Sequence, residues 1–154
     1  MMMEKVSRHE IDDFLAQRKL ALVGVSRRAG KFGNMIYKEL SAKGYQVFPV
    51  HPEAKENNGM HCWPSLQSLP ERVGGLIIVV RPEQTEKVVR DAVAAGIERV
   101  WMQQGSQSDE AISFCRENGV SVIHNECILM FAEPAGWIHR FHRGILKLLG
   151  KAPQ

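Results

Sequence analysis

The segment Gly24-Val25-Ser26-Arg27-Arg28-Ala29-Gly30-Lys31-Phe32-Gly33 spaces glycines and cations as an anion cradle does. The run before it, Ala21-Leu22-Val23, is apolar in the manner of a buried parallel strand, and a helical pattern follows. Glycines let the backbone approach a ligand, and the N–H groups that open the next helix attract negative charge. The motif is G-x-S-x-x-x-G-x-x-G, longer than the G-x-G-x-x-G of dinucleotide enzymes and carrying Arg27, Arg28 and Lys31 within it. These three cations cannot all point inward, so one or two are expected on a phosphate and the rest in solvent. Ser26 offers a hydroxyl or a backbone N–H to a ligand, or else caps a turn. The loop also reads as an ordinary strand-to-helix turn with solvated arginines.

Other reactive side chains are more dispersed. Arg81 follows an apolar run, which suits a guanidinium gripping phosphate at two points; the alternative is a salt bridge to Glu83 or Glu86. Cys127 stands just past a strand-like run, where a thiol could meet a sulfur-bearing ligand. Its neighbour Glu126 opposes thiolate formation, so a packed, inert thiol is expected. His61 with Cys62, His124 with Cys127, and His139 with His142 are pairs without the third and fourth ligands that a metal site needs. No G-x-S-x-G nucleophile motif is present. The pattern is that of a binding site without visible catalytic machinery.

The elements that position these residues repeat a strand–helix rhythm. Strand-like runs fall at 20–25, 46–50, 76–80, 99–102 and 120–123, and helical patterns at 33–43, 83–95 and 109–117. Each helical pattern stops at a glycine, Gly44, Gly96 or Gly119. Ser7-Arg8-His9-Glu10 has the form of a capping box before Ile11, Phe14 and Leu15, predicting a short leading helix. The stretch 53–69 is less regular, with a turn at Asn57-Asn58-Gly59 and a short helix opening at Ser65-Leu66. The expected fold is a doubly wound parallel α/β sheet of Rossmann-like type, whose ligands bind beyond the carboxyl ends of the strands. The expected division is a capping helix at 1–18, one ligand-binding domain at 19–133, and an amphipathic basic helix at 134–154.

With 154 residues, of which 44% are hydrophobic, the chain can bury one good core. A formal charge of +3, with acidic residues scattered among basic ones, favours a small anionic ligand over nucleic acid. Three cysteines at unrelated spacings build no disulfide framework, and the start lacks an apolar signal core. A reducing cytoplasm and a soluble protein are expected. In the tail, Pro134 precedes Trp137, Ile138, Phe141, Ile145, Leu148 and Leu149 at helical spacing, with His139, Arg140, His142, Arg143 and Lys147 on the other face. That helix is expected to dock on its own domain or in a homodimer interface. A membrane surface, an acidic partner or a neighbouring subunit's ligand are the alternatives.

An NAD site places a carboxylate at the end of its second strand, where it accepts from the ribose hydroxyls. Here that place holds His51-Pro52, with Lys55 nearby. A phosphorylated ribose is then tolerated, as in NADP or coenzyme A. The chain resembles the small stand-alone coenzyme A-binding proteins, related to the amino-terminal domain of the succinyl-coenzyme A synthetase alpha subunit. The resemblance runs from about residue 20 to 127. It rests on Leu22-Val23-Gly24-Val25-Ser26 with its basic loop, Gly44-Tyr45-Gln46-Val47-Phe48-Pro49-Val50-His51-Pro52, Ser65-Leu66, Val80-Arg81-Pro82, Val100-Trp101-Met102-Gln103-Gln104-Gly105, and the late Cys127.

The resemblance implies binding of coenzyme A or an acyl derivative. Gly24, Val25, Ser26, Gly33 and the loop cations would line the nucleotide and diphosphate site. His51-Pro52 and Arg81-Pro82 would flank it, with Gln103 and Gly105 beside the pantetheine path; the place of Cys127 just past the fifth strand could bring its thiol to the sulfur end. The synthetase subunit continues into a second domain with a phosphorylated histidine, so acyl-coenzyme A synthesis by this chain alone is not expected. The small relatives also finish soon after the late cysteine, whereas this chain adds residues 128–154. The rival readings are an oxidoreductase-like NADP module and an interaction protein acting through its carboxyl-terminal helix.

Overall fold

The computed structural model describes residues 6–25, 31–53, 55–57 and 59–132. Residues 26–30 and the helix expected at 134–154 lie outside them. Helix α1 spans Arg8–Leu15, its first turn closed by the Ser7 hydroxyl accepting from the Glu10 N–H. Ile11 and Phe14 form its buried face. Next come β1 (Lys19–Val23), α2 (Phe32–Ala42) and β2 (Gln46–Val50). A two-stranded antiparallel hairpin follows, β3 (Glu56–Asn57) and β4 (Met60–His61), then a 3-10 turn at Leu66–Ser68. The remainder alternates: β5 (Gly75–Ile78), α3 (Pro82–Ala94), β6 (Arg99–Gln103), α4 (Asp109–Glu117), β7 (Ser121–Glu126) and a final 3-10 turn at Ile128–Met130.

The five long strands are all parallel, in the order β2-β1-β5-β6-β7. Alternation along each strand sorts the core into two layers. Leu20, Leu22, Ile77, Trp101 and Ile123 face one way, in a layer with Ile11 and Phe14 of α1 and Ile36 and Leu40 of α2. Ala21, Leu76, Ile78, Val100, Met102 and Val122 face the other, with Val89 and Ala92 of α3 and Ile112 and Cys115 of α4. This is the doubly wound α/β fold. Its chain runs outward from β1 to β2 and, on returning, outward again from β5 to β7. Neighbouring strands β1 and β5 therefore lead to helices on opposite faces. At such a switch point their carboxyl ends open a crevice.

Element boundaries differ from the expected ones where local geometry intervenes. β1 ends at Val23 because Gly24 takes a φ of +131°. Helix stops fall where expected, with Gly44, Gly96 and Gly119 all at positive φ just past the helix ends. β7 extends to Glu126, past the expected end at 123, through a bulge. Trp101 pairs with Ile123 and Gln103 with Glu126, so Met102 faces both His124 and Asn125, and Asn125 has φ +63°. The irregular stretch contains the hairpin, and Trp63 beyond it makes a parallel bridge to Val50 at the outer edge of β2.

Candidate ligand-binding cleft

The site is built on two close approaches that only glycine permits. A Cβ on Gly24 would stand 2.2 Å from the Val79 carbonyl oxygen, so the end of β1 lies directly on the end of β5. A Cβ on Gly33 would stand 2.3 Å from the Gly24 carbonyl oxygen, so the first turn of α2 lies on the strand end in turn. Helix α2 begins at Lys31 with no side-chain cap and no acidic residue in its first turn. Helix α3 begins at Arg81, likewise without a side-chain cap, with Pro82 as its first residue and the carboxylate of Glu83 in its first turn. In contrast, α4 satisfies itself: Ser108 accepts from the Ala111 N–H at 3.3 Å, and Asp109 and Glu110 occupy its first turn. The two uncapped helix starts flank the crevice, and the field of α2, with no first-turn carboxylate to offset it, favours an anion there.

Between them lies an open cleft of about 690 Å³. Gly24, Val25, Val79, Val80 and Phe32 give it an apolar side, and Arg81, Pro82, Gln84, Gln104, Gly105 and Ser106 a polar one. Arg81 is exposed and makes no ion pair or side-chain hydrogen bond among the described residues; Glu86, one of its two candidate partners, pairs with Arg90 at 3.6 Å instead. The wall is braced from behind by the buried Thr85 hydroxyl, which donates to the Ser106 carbonyl at 2.6 Å and joins α3 to the β6–α4 loop. Gly105, at φ +95°, donates its N–H to Gln107 Oε1 at 2.8 Å.

Of the site residues expected from sequence, the cleft brings together Gly24, Val25, Arg81, Pro82 and Gly105. Ser26, Arg27 and Arg28 fall outside the described residues. Gly33 is buried beneath Gly24, and Lys31 is an exposed helix cap. His51 and Pro52 follow β2, outside the lining; the Glu53 N–H donates to His51 Nδ1 at 3.1 Å, which leaves the ring proton on Nε2. Gln103 does not line the cleft. It is 1% exposed, and its Oε1 accepts from the Ile128 N–H at 3.0 Å, which ties β6 to the final 3-10 turn. Cys127 caps that turn, half-buried against the α1/α2 layer and away from the cleft lining.

Phe32, Val79, Gln84, Gln104 and Ser106 are cleft residues that the sequence motifs do not single out. The signal that points to Gln104 is alternation: with Gln103 in register with Trp101 and pointing into the α1/α2 layer, Gln104 is the first residue free to turn toward the crevice.

Other titratable groups stand apart from the cleft. Burial raises the Cys62 thiol and pushes Cys115 up to about 12, so neither is a nucleophile. Burial, aided by the Arg116 charge, lowers the His124 imidazole, whose Nε2 is buried without a hydrogen-bond partner among the described residues. No group of three metal-ligating side chains occurs among the described residues. At the opposite end of the strands a depression of about 430 Å³ is rich in cations, but three of them are already engaged. Arg18 lies 3.8 Å over the Tyr45 ring, Lys19 pairs with Glu71 at 2.6 Å, and Arg99 pairs with Asp13 at 2.8 Å. No described helix is long and apolar enough to cross a membrane.

Comparison with known proteins agrees with this architecture. The chain is 30% identical over 127 residues to the uncharacterized protein YneT of Bacillus subtilis (strain 168), covering 82% of this chain and 94% of that one. It is 28% identical over 121 residues to the ADP-forming acetate–CoA ligase I of Archaeoglobus fulgidus, covering 72% of this chain but only 18% of the enzyme. A solved structure of a conserved hypothetical protein from Pyrococcus furiosus superposes with a TM-score of 0.68 at 40% identity, over 72% of this chain and 96% of that one. The family described as CoA binding domain matches residues 18–133, which takes in the whole five-stranded sheet and the cleft at its switch point, and the chain belongs to that family.

Proposed function

We propose that this protein binds coenzyme A, or an acyl thioester of it, in the cleft at the ends of β1, β5 and β6, and that it does so as a binding protein without turnover. The observation that carries the reading is the stacking of α2 on Gly24 through Gly33, which presents an uncapped helix start beside a strand end that itself carries no side chain at Gly24. A diphosphate suits that place, because backbone N–H groups and the helix field meet a doubly charged group without a competing carboxylate. Arg81, uncommitted at the start of α3, supplies a second contact for phosphate oxygens. The apolar side formed by Val25, Val79, Val80 and Phe32 suits the hydrocarbon of a pantetheine arm.

The described cleft lining is made of apolar, amide, hydroxyl and guanidinium groups, which suit contacts to an anionic ligand. The ligase relative acts on acetate and coenzyme A through a chain of which this one spans less than a fifth, so its reaction is not carried over. His51 in place of a strand-end carboxylate favours a ligand with a phosphorylated ribose, because no carboxylate at that strand end repels the phosphate.

The test is calorimetric titration of the reduced protein with coenzyme A, dephospho-coenzyme A, acetyl-coenzyme A and NADP. Saturable binding of coenzyme A that weakens without the ribose phosphate is expected. Binding of NADP with none of the coenzyme A forms would overturn the proposal.

A further inference from the structure

Three buried polar residues, Thr85, Gln103 and Ser106, lie on a single hydrogen-bonded path behind the cleft. The Ser106 N–H donates to the Gln103 carbonyl at 2.8 Å, closing the turn after β6, and the Gln103 side chain is itself held in the core by the Ile128 N–H. The Ser106 carbonyl accepts from the Thr85 hydroxyl at 2.6 Å, a shorter contact than the 3.3 Å from that hydroxyl to the Arg81 carbonyl on its own helix. Thr85 thus joins the start of α3 to a loop anchored in the sheet. Among the described residues no other side-chain hydrogen bond spans that gap.

Thr85 is fully buried, where a valine would fill the same space with no polar group to satisfy. A hydroxyl at that place is explained by what it ties. Arg81 has no ion pair or side-chain hydrogen bond among the described residues, Pro82 has no N–H to give, and no side chain caps the helix. The aim of the guanidinium therefore depends on where the backbone of this first turn is held. Strand β5 sets one end of that turn, and the Thr85–Ser106 bond sets the other.

We propose that Thr85 is a positioning residue for the ligand: by pinning the first turn of α3 to the β6–α4 loop, it holds Arg81 where the guanidinium meets phosphate oxygens. Thr85 itself touches no ligand. The inference rests on the coenzyme A reading and adds to it the group that keeps the Arg81 contact in place.

The experiment is calorimetric titration with coenzyme A at several salt concentrations, each protein corrected to its folded fraction by urea titration. Thr85→Val and Thr85→Ala remove the hydroxyl, the first at nearly constant volume, and Thr85→Ser keeps it. Val89→Ala opens a cavity on the same helix without touching the tie. Affinity should fall roughly fivefold to tenfold in both hydroxyl-free variants, as loss of most of one charged hydrogen-bond pair implies, and stay within about twofold of wild type in Thr85→Ser and Val89→Ala. The lost contact is an ion pair, so added salt should weaken coenzyme A binding less steeply in Thr85→Val than in wild type, by the same margin as in Arg81→Ala. Combining Thr85→Val with Arg81→Ala should cost no more than about threefold beyond Arg81→Ala alone, because both substitutions remove one contact. Unchanged affinity in the hydroxyl-free variants, an equal loss in Val89→Ala, an unaltered salt dependence, or full additivity with Arg81→Ala would each overturn the inference. A wild type that does not bind coenzyme A overturns the coenzyme A reading and this inference with it. A wild type that binds while Thr85→Val binds equally well overturns this inference alone.

Discussion

Arg81 and Gln103 both stand at strand ends, yet they have opposite fates. Arg81 touches no side-chain partner among the described residues, so Arg81→Ala should leave stability within about 0.5 kcal/mol of wild type. Coenzyme A affinity should fall roughly tenfold, as loss of one charged hydrogen-bond pair implies. Denaturant titration and calorimetry read the two effects separately. Gln103 is buried and holds the final 3-10 turn: Gln103→Leu removes the acceptor for the Ile128 N–H and should cost about 1–3 kcal/mol, with affinity nearly unchanged once the folded fraction is matched. A large affinity loss at equal folding would instead place Gln103 on the ligand. Their difference is only half legible in the sequence. Arg81 announces itself as a charge ending an apolar run. The role of Gln103 depends on β6 running one residue past the expected 102, which keeps its side chain in the alternation that points into the core.

The β1–α2 junction behaves as a single element, because strand end and helix start press on each other. Gly33→Ala puts a Cβ against the Gly24 backbone, which has no flexible end to yield. The expected result is a loss of about 1–3 kcal/mol in urea unfolding, with coenzyme A binding weakened well beyond the Arg81→Ala effect. Ordinary stability and binding in that variant would mean that the close approach has no part in the site. Glycine spacing makes this junction legible in the amino-acid sequence, as it does the helix stops, since both signals are local along the chain. Gln104, Ser106 and Phe32 are not legible in the same way. They reach the cleft because β6 lies beside β5 and α2 lies over β1, and pairing across the sheet leaves no local mark.

At the scale of the whole molecule, acid should loosen the fold through His124. Burial holds its folded pKa below the ordinary imidazole value, so between the two values the unfolded chain binds more protons than the native one. Stability is therefore full above about pH 6.5 and declines as pH falls from there toward the depressed folded value. Urea midpoints measured from pH 8 to pH 5 should show this decline, and His124→Gln should flatten it; an unchanged slope in that variant would assign the effect elsewhere. His124 lies in the bulge that lengthens β7, next to the segment that closes the domain. There the Arg8 guanidinium sits 5.4 Å from the centroid of the Phe131 ring, so the opening turn of α1 touches the last turn of the described chain. Because the first and last turns of the described segment adjoin, the order of its elements along the chain is dispensable to the architecture. A circular permutant of residues 6–132, joined from Ala132 back to Val6 by a short flexible linker and opened before the exposed Gly59, should assemble the same sheet and the same crevice.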